Sequence, residues 1–115
     1  MSDLKKLTDI VIKFRDERDW KQFHGPKDAA ISLSLEAAEV LEHFQFKSEK
    51  EIKAYIKKNK KEIGDELADV LFWVLTMCHD LKIDPVKAFD AKMVENRKKY
   101  PIEKAKGKNI KYTKY

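Results

Sequence analysis

The chain holds one cysteine, three glycines and three prolines in 115 residues. A lone Cys78 excludes an internal disulfide and fits a reducing compartment; no zinc-ligand spacing surrounds it. Its neighbours Met77 and Leu81 mark it as a buried thiol rather than a nucleophile. So few chain breakers argue against a turn-rich β architecture, and no strand alternation or internal repeat is visible. No apolar run is long enough to span a bilayer, and the N-terminus lacks an apolar signal region. These absences lead us to expect a soluble, cytoplasmic protein with no membrane partner.

What is present is a mixture of apolar and charged residues, 43% and 39% of the chain. At this length one domain with a real core is expected. The net charge of +5 is unevenly placed. From Arg97 to Tyr115 there are eight Lys/Arg and one acid, so the rest of the chain sums to −2. A basic tail can touch nucleic acid. However, no nucleic-acid motif or basic helix face accompanies it, and a solvated tail is the preferred reading.

Helical periodicity organises the chain. Leu4, Leu7, Val11 and Phe14 predict a first helix over 3–18. Gly25 and Pro26 break the chain, and Asp28 is the expected cap of a second helix reaching residue 44 or 45. Ser48 and Glu51 form a capping-box pattern opening a helical stretch that runs to about Leu81, with a break expected near Asn59 or Gly64. Asp84-Pro85 reads as the N-cap and first residue of a last helix ending near Tyr100. The expected division is a helical domain over 1–100 and a basic, irregular tail over 101–115. The expected fold is an all-α bundle of four or five helices.

Within GDELADVLFWVL, residues 64–75, an apolar helix face borders on acids. Advancing about 100° per residue, Ile63, Leu67, Val70, Val74 and Leu81 form the core side. Glu62, Glu66, Asp69 and Trp73 fill the next sector. The second helix repeats the design: Leu33, Ala37, Val40 and Phe44 face the core beside Ser32, Glu36, Glu39 and His43. Residues three apart stack on a helix, so two paired helices can bring Glu36, Glu39, Glu66 and Asp69 together. Four converging carboxylates need cations or protons. An all-oxygen set suits Mg²⁺ or Mn²⁺. Four acids on solvated faces is the alternative. A di-iron bundle is excluded, because no Glu stands three residues before His24, His43 or His79.

The ExxE pair, a spacer of 26 residues and the ExxD pair resemble the MazG-type all-α nucleoside triphosphate pyrophosphohydrolases. ERDWKQFHGPKD, EHFQFKS, GDELADVLFW, KMVENRKKYP and KYT, in order, resemble the dCTP pyrophosphatase branch over nearly the whole chain. The resemblance implies a helical bundle assembled as a homodimer or homotetramer. It implies Mg²⁺-dependent cleavage of a nucleoside triphosphate, dCTP or a modified dCTP, to the monophosphate and pyrophosphate. Glu36, Glu39, Glu66 and Asp69 would hold metal, and Glu36 or Glu39 would also activate water. Trp20, His24, Phe46 and Trp73 would line the base pocket, with Phe46 and Trp73 standing where the vertebrate enzymes carry Trp and Tyr. Lys92 and Asn96, with Tyr100 beside them, would meet the phosphates or sugar. Phe23 reads instead as a core anchor, and His43 as packed or bonded to a carboxylate. The alternatives are a catalytically silent nucleotide-binding relative and a basic-tailed nucleic-acid-binding module. Ile31 and Leu35, with Phe72 on the later helix, form an apolar strip away from the core side and are the expected subunit contacts.

Overall fold

The computed structural model describes residues 2–115. It consists of α1 (Asp3–Glu17), α2 (Pro26–Glu42), α3 (Glu49–Asp80), α4 (Pro85–Lys99) and α5 (Ile102–Ala105), with 3₁₀ turns at Lys21–Phe23 and Tyr112–Lys114. No strand occurs among the described residues, as the breaker-poor composition predicts.

Local chemistry sets most helix ends. The Ser2 hydroxyl accepts from the Lys5 N–H at 3.1 Å and starts α1. The capping box of α3 is complete: Ser48 Oγ accepts from the Glu51 N–H, and Glu51 Oε1 accepts from the Ser48 N–H. The break in α3 falls at Asn59 (φ −118°, ψ 26°) and not at Gly64. The Asn59 amide donates to the Tyr55 carbonyl at 3.1 Å. One expected boundary moves. α2 starts at Pro26 with Gly25 as N-cap, so Asp28 sits in its first turn rather than capping it. Proline fits the first helical position, where its fixed φ is helical and its missing N–H has no partner to lose.

The chain divides into two compact units, one ending at Ile83 and the other running from Asp84 to Tyr115. In the first, α3 packs against both α2 and α1. Among the described residues, full burial is confined to Arg15 near the end of α1, Ala29 near the start of α2, and Leu75 and Thr76 in the second half of α3. Along the rest of the α2–α3 pair, Leu33, Val40, Ile63 and Val70 are only half-buried. Ala37, Leu67 and Leu81, which periodicity puts on the core side, are exposed. Three helices within this unit do not supply enough surface to cover both sides of α3. Phe72 also departs from expectation. It is half-buried, with its ring edge-on to Phe14 at 6.0 Å and to Trp73 at 5.2 Å, and so does not join the exposed strip. Ile31 and Leu35 do remain exposed.

In the second unit, Asp84 Oδ1 accepts from the N–H groups of Val86 and Lys87 and caps α4. α4 stops at Lys99, one residue before Tyr100 and two before Pro101. The segment beyond holds the short α5, and the Tyr100 ring lies edge-on to those of Tyr112 and Tyr115 at 5.7 and 6.1 Å. Among the described residues, no helix is long and apolar enough to cross a membrane.

Candidate functional site

α2 and α3 run antiparallel. His43, just past the end of α2, pairs through Nδ1 with the Tyr55 hydroxyl at 2.6 Å. Earlier on α2 and later on α3, the acids meet: one carboxylate oxygen each from Glu36, Glu39 and Glu66 all lie within 4.8 Å of one another. The two helical stripes deduced from spacing therefore do converge. Asp69 stands outside this trio, yet its charge acts on both Glu36 and Glu66.

The trio is electrostatically uncomfortable without a cation. Burial, a hydrogen bond with Glu39 and the charges of Glu39, Asp69 and Glu66 push the Glu36 carboxyl above its ordinary range. For Glu66 the hydrogen bond with Glu39 is the largest cause, followed by burial and the charges of Glu39 and Asp69. The nearby His43 acts in the opposite direction. Glu36 Oε2 and Glu66 Oε2 are buried with no hydrogen-bond partner in the protein. Among the described residues, none of the four acids forms an ion pair with Lys or Arg. Buried lone pairs without a partner in the protein call for water, a proton or an ion. An all-carboxylate set with unused oxygens fits a hard divalent cation that prefers oxygen donors.

A second feature lies two turns further along α3. The His24 ring is edge-on to Trp73 at 4.9 Å and tilted toward Trp20 at 6.4 Å. Trp20 in turn meets Phe14 at 5.7 Å. Three of the four residues expected around a base are thus brought together. The fourth is not: Phe46 is 93% exposed, on left-handed backbone with φ 63°, and has no ring partner among the described residues. Phe23 is exposed as well, because its 3₁₀ turn leaves the ring in solvent, and it is no core anchor. His24 Nδ1 is buried and unpartnered. Burial and the charge of Arg15 lower the His24 pKa, against opposing effects of Asp80 and Asp28. His24 also lines a cavity of about 400 Å³, shared with Lys21, Gln22, His79, Asp80 and Lys82.

Lys92, Asn96 and Tyr100 belong to the second unit. There Lys92 Nζ lies 3.5 Å from Glu95, and the Asn96 amide contacts Met93 Sδ at 3.8 Å. The sequence reading does not single out the Arg15–Asp80 ion pair, at 2.7 Å, or Tyr55 as partner of His43. One signal was available: Arg15 falls one turn after Val11, on the apolar stripe of α1. Its partner, 65 residues away, leaves no local trace.

Comparison with known proteins agrees with this geometry. The model of the MazG-like family matches residues 31–114. The chain is 34% identical to dCTP pyrophosphatase 1 of Rattus norvegicus over 112 residues, 96% of this chain and 66% of that protein. Against dCTP pyrophosphatase 1 of Homo sapiens it is 31% identical over the same shares. The chain thus spans just under two thirds of the length of these curated relatives. Among solved structures, a pyrophosphatase from Archaeoglobus fulgidus superimposes with a TM-score of 0.82 at 40% identity, over 88% of this chain and 94% of that one. With a family match over most of its length and an all-α fold shared with that structure, the chain belongs to the MazG-like family.

Proposed function

We propose that this protein is a Mg²⁺-dependent nucleotide pyrophosphohydrolase that cleaves a deoxynucleoside triphosphate, foremost dCTP or a 5-substituted dCTP, to the monophosphate and pyrophosphate. The observation that carries the reading is the convergence of Glu36, Glu39 and Glu66 with two buried, unpartnered carboxylate oxygens. A catalytically silent relative would have no need to keep so repulsive a cluster intact.

Glu36, Glu39, Glu66 and Asp69 are the residues that would hold the metal, with Mn²⁺ a substitute. When bound, Mg²⁺ neutralises triphosphate charge and polarises the phosphoryl group under attack. Glu36 or Glu39 positions the attacking water and accepts its proton. In this reading Trp20, His24 and Trp73 present aromatic faces and one imidazole to the base, and Phe46, exposed and apart from them, is not part of that trio. The protein acts in the cytoplasm as a homodimer or homotetramer.

A panel of ribo- and deoxynucleoside triphosphates assayed with Mg²⁺, with products resolved by anion exchange, tests the reading. Monophosphate and pyrophosphate are expected, with a pyrimidine turned over fastest. Diphosphate and inorganic phosphate would refute the reaction type. A purine turned over faster than every pyrimidine would refute only the substrate.

A further inference from the structure

We propose that the ion pair between buried Arg15 and half-buried Asp80 positions the turn that presents Trp20 and His24, and so helps determine which base the site accepts. The inference rests on the reading of Trp20 and His24 as part of the base pocket.

Arg15 holds two elements at once. Its carbonyl accepts from the N–H groups of Arg18 and Trp20, at 3.2 and 3.1 Å, across a turn in which Asp19 is left-handed at φ 53°. Its side chain, 1% exposed, donates from Nη1 to Asp80 Oδ2 at 2.7 Å. Asp80 is the last residue of α3, two turns beyond Trp73. The backbone of Arg15 therefore fixes the turn, and its guanidinium ties that turn to the helix carrying the third ring.

Packing alone does not explain a buried guanidinium paired with a half-buried carboxylate here. An apolar pair of similar volume is often at least as stable. This site also leaves the buried Arg15 Nε–H without a hydrogen bond, its nearest acid being Asp16 at 3.7 Å, which carries a desolvation cost. What an apolar pair could not supply is charge beside the imidazole. Asp80 and His24 line one cavity, with Lys21, His79 and Lys82 around it. The Arg15 cation and burial oppose protonation of His24, while Asp28 and Asp80 act the other way. A neutral imidazole offers one donor and one acceptor, whereas an imidazolium offers only donors. The neutral ring can thus distinguish base edges by hydrogen bonding, and buried polar groups left unpaired by a wrong base supply the discrimination.

The test uses the full chain as wild type, Arg15→Lys, and the charge-free double variant Arg15→Met/Asp80→Asn, which leaves no lone buried charge. Mn²⁺ titration and thermal melts report the carboxylate cluster and the fold. Asp80 lies about 21 Å along α3 from Glu66 at ~1.5 Å per residue, so Mn²⁺ affinity should be unchanged. In the double variant, the ratio of kcat/KM for dCTP over dATP should fall about tenfold, the worth of one hydrogen bond. The loss should appear in KM, and the NMR signals of the His24 ring and the Trp20 indole should shift as the turn loses its tie to α3. Arg15→Lys, which keeps the cation, should retain most of the discrimination. A folded double variant with the wild-type ratio overturns the proposal. If wild type hydrolyses no triphosphate, the enzymatic reading fails separately. The NMR signals of His24 and the Trp20 indole then decide, and no change in the double variant overturns the positioning role.

Discussion

Glu39 bears on both other acids of the trio: together with burial, hydrogen bonding to Glu39 and its charge raise the Glu36 and Glu66 carboxyls above their ordinary range. The metal-free cluster therefore favours protonation more than a free carboxyl does, where a bound cation would favour the ionised form. This has a sign that can be measured. A carboxyl whose folded-state pKa lies above its unfolded one stabilises the fold below the unfolded value, and that contribution fades as pH rises through the folded value. For Glu36 and Glu66 the window runs upward from the ordinary carboxylate range. His24, lowered rather than raised, contributes the opposite slope nearby, so the comparison must be between variants. Glu36→Gln should raise the neutral-pH melting temperature of the metal-free protein relative to wild type, and the difference should shrink toward about pH 4.5, near the ordinary carboxylate range. Melts across pH with a chelator present check this; a Glu36→Gln protein less stable than wild type at neutral pH would contradict it.

At the scale of elements, legibility followed locality. Asp84-Pro85 and the Ser48–Glu51 box could be read because each cap involves residues within one helical turn. The two acidic stripes could be read because helical period alone fixes which residues share a face. The start of α2 was misplaced because Gly25-Pro26 reads as a break when it is a helix entry. The exposure of Leu67 and Ala37 could not be read, since periodicity tells which side is apolar but not whether anything covers it. The Arg15–Asp80 pair depends on the packing of α1 on α3, and Phe46 on a left-handed turn that no local signal announces. The α3 cap yields its own prediction. Ser48→Ala removes one half of the capping box and should cost about 1 kcal/mol. Because the cap is exposed and far along α3 from Glu66, turnover should not change. Urea denaturation beside a rate assay checks both parts, and an unchanged midpoint would show that α3 does not depend on its cap.

For the whole molecule, the unresolved demand is apolar surface. Leu35 is 61% exposed, Ile10 64% and Leu41 67%, and exposed apolar residues that form a contiguous patch mark an association surface. Association of identical chains over the Ile31 and Leu35 strip should cover part of it. Light scattering at micromolar concentration should give a mass that is a multiple of 13.5 kDa, and Leu35→Glu should lower it. A wild-type monomer would contradict this. The central claim is that the acids of α2 and α3 hold metal for triphosphate cleavage, and its most direct test is the rate of monophosphate release under saturating Mg²⁺ in Glu66→Ala and Asp69→Ala. Removing a metal ligand should cost each variant at least ~10²-fold in rate, with no loss of melting temperature in metal-free protein. Folded variants that release monophosphate at the wild-type rate would contradict the claim.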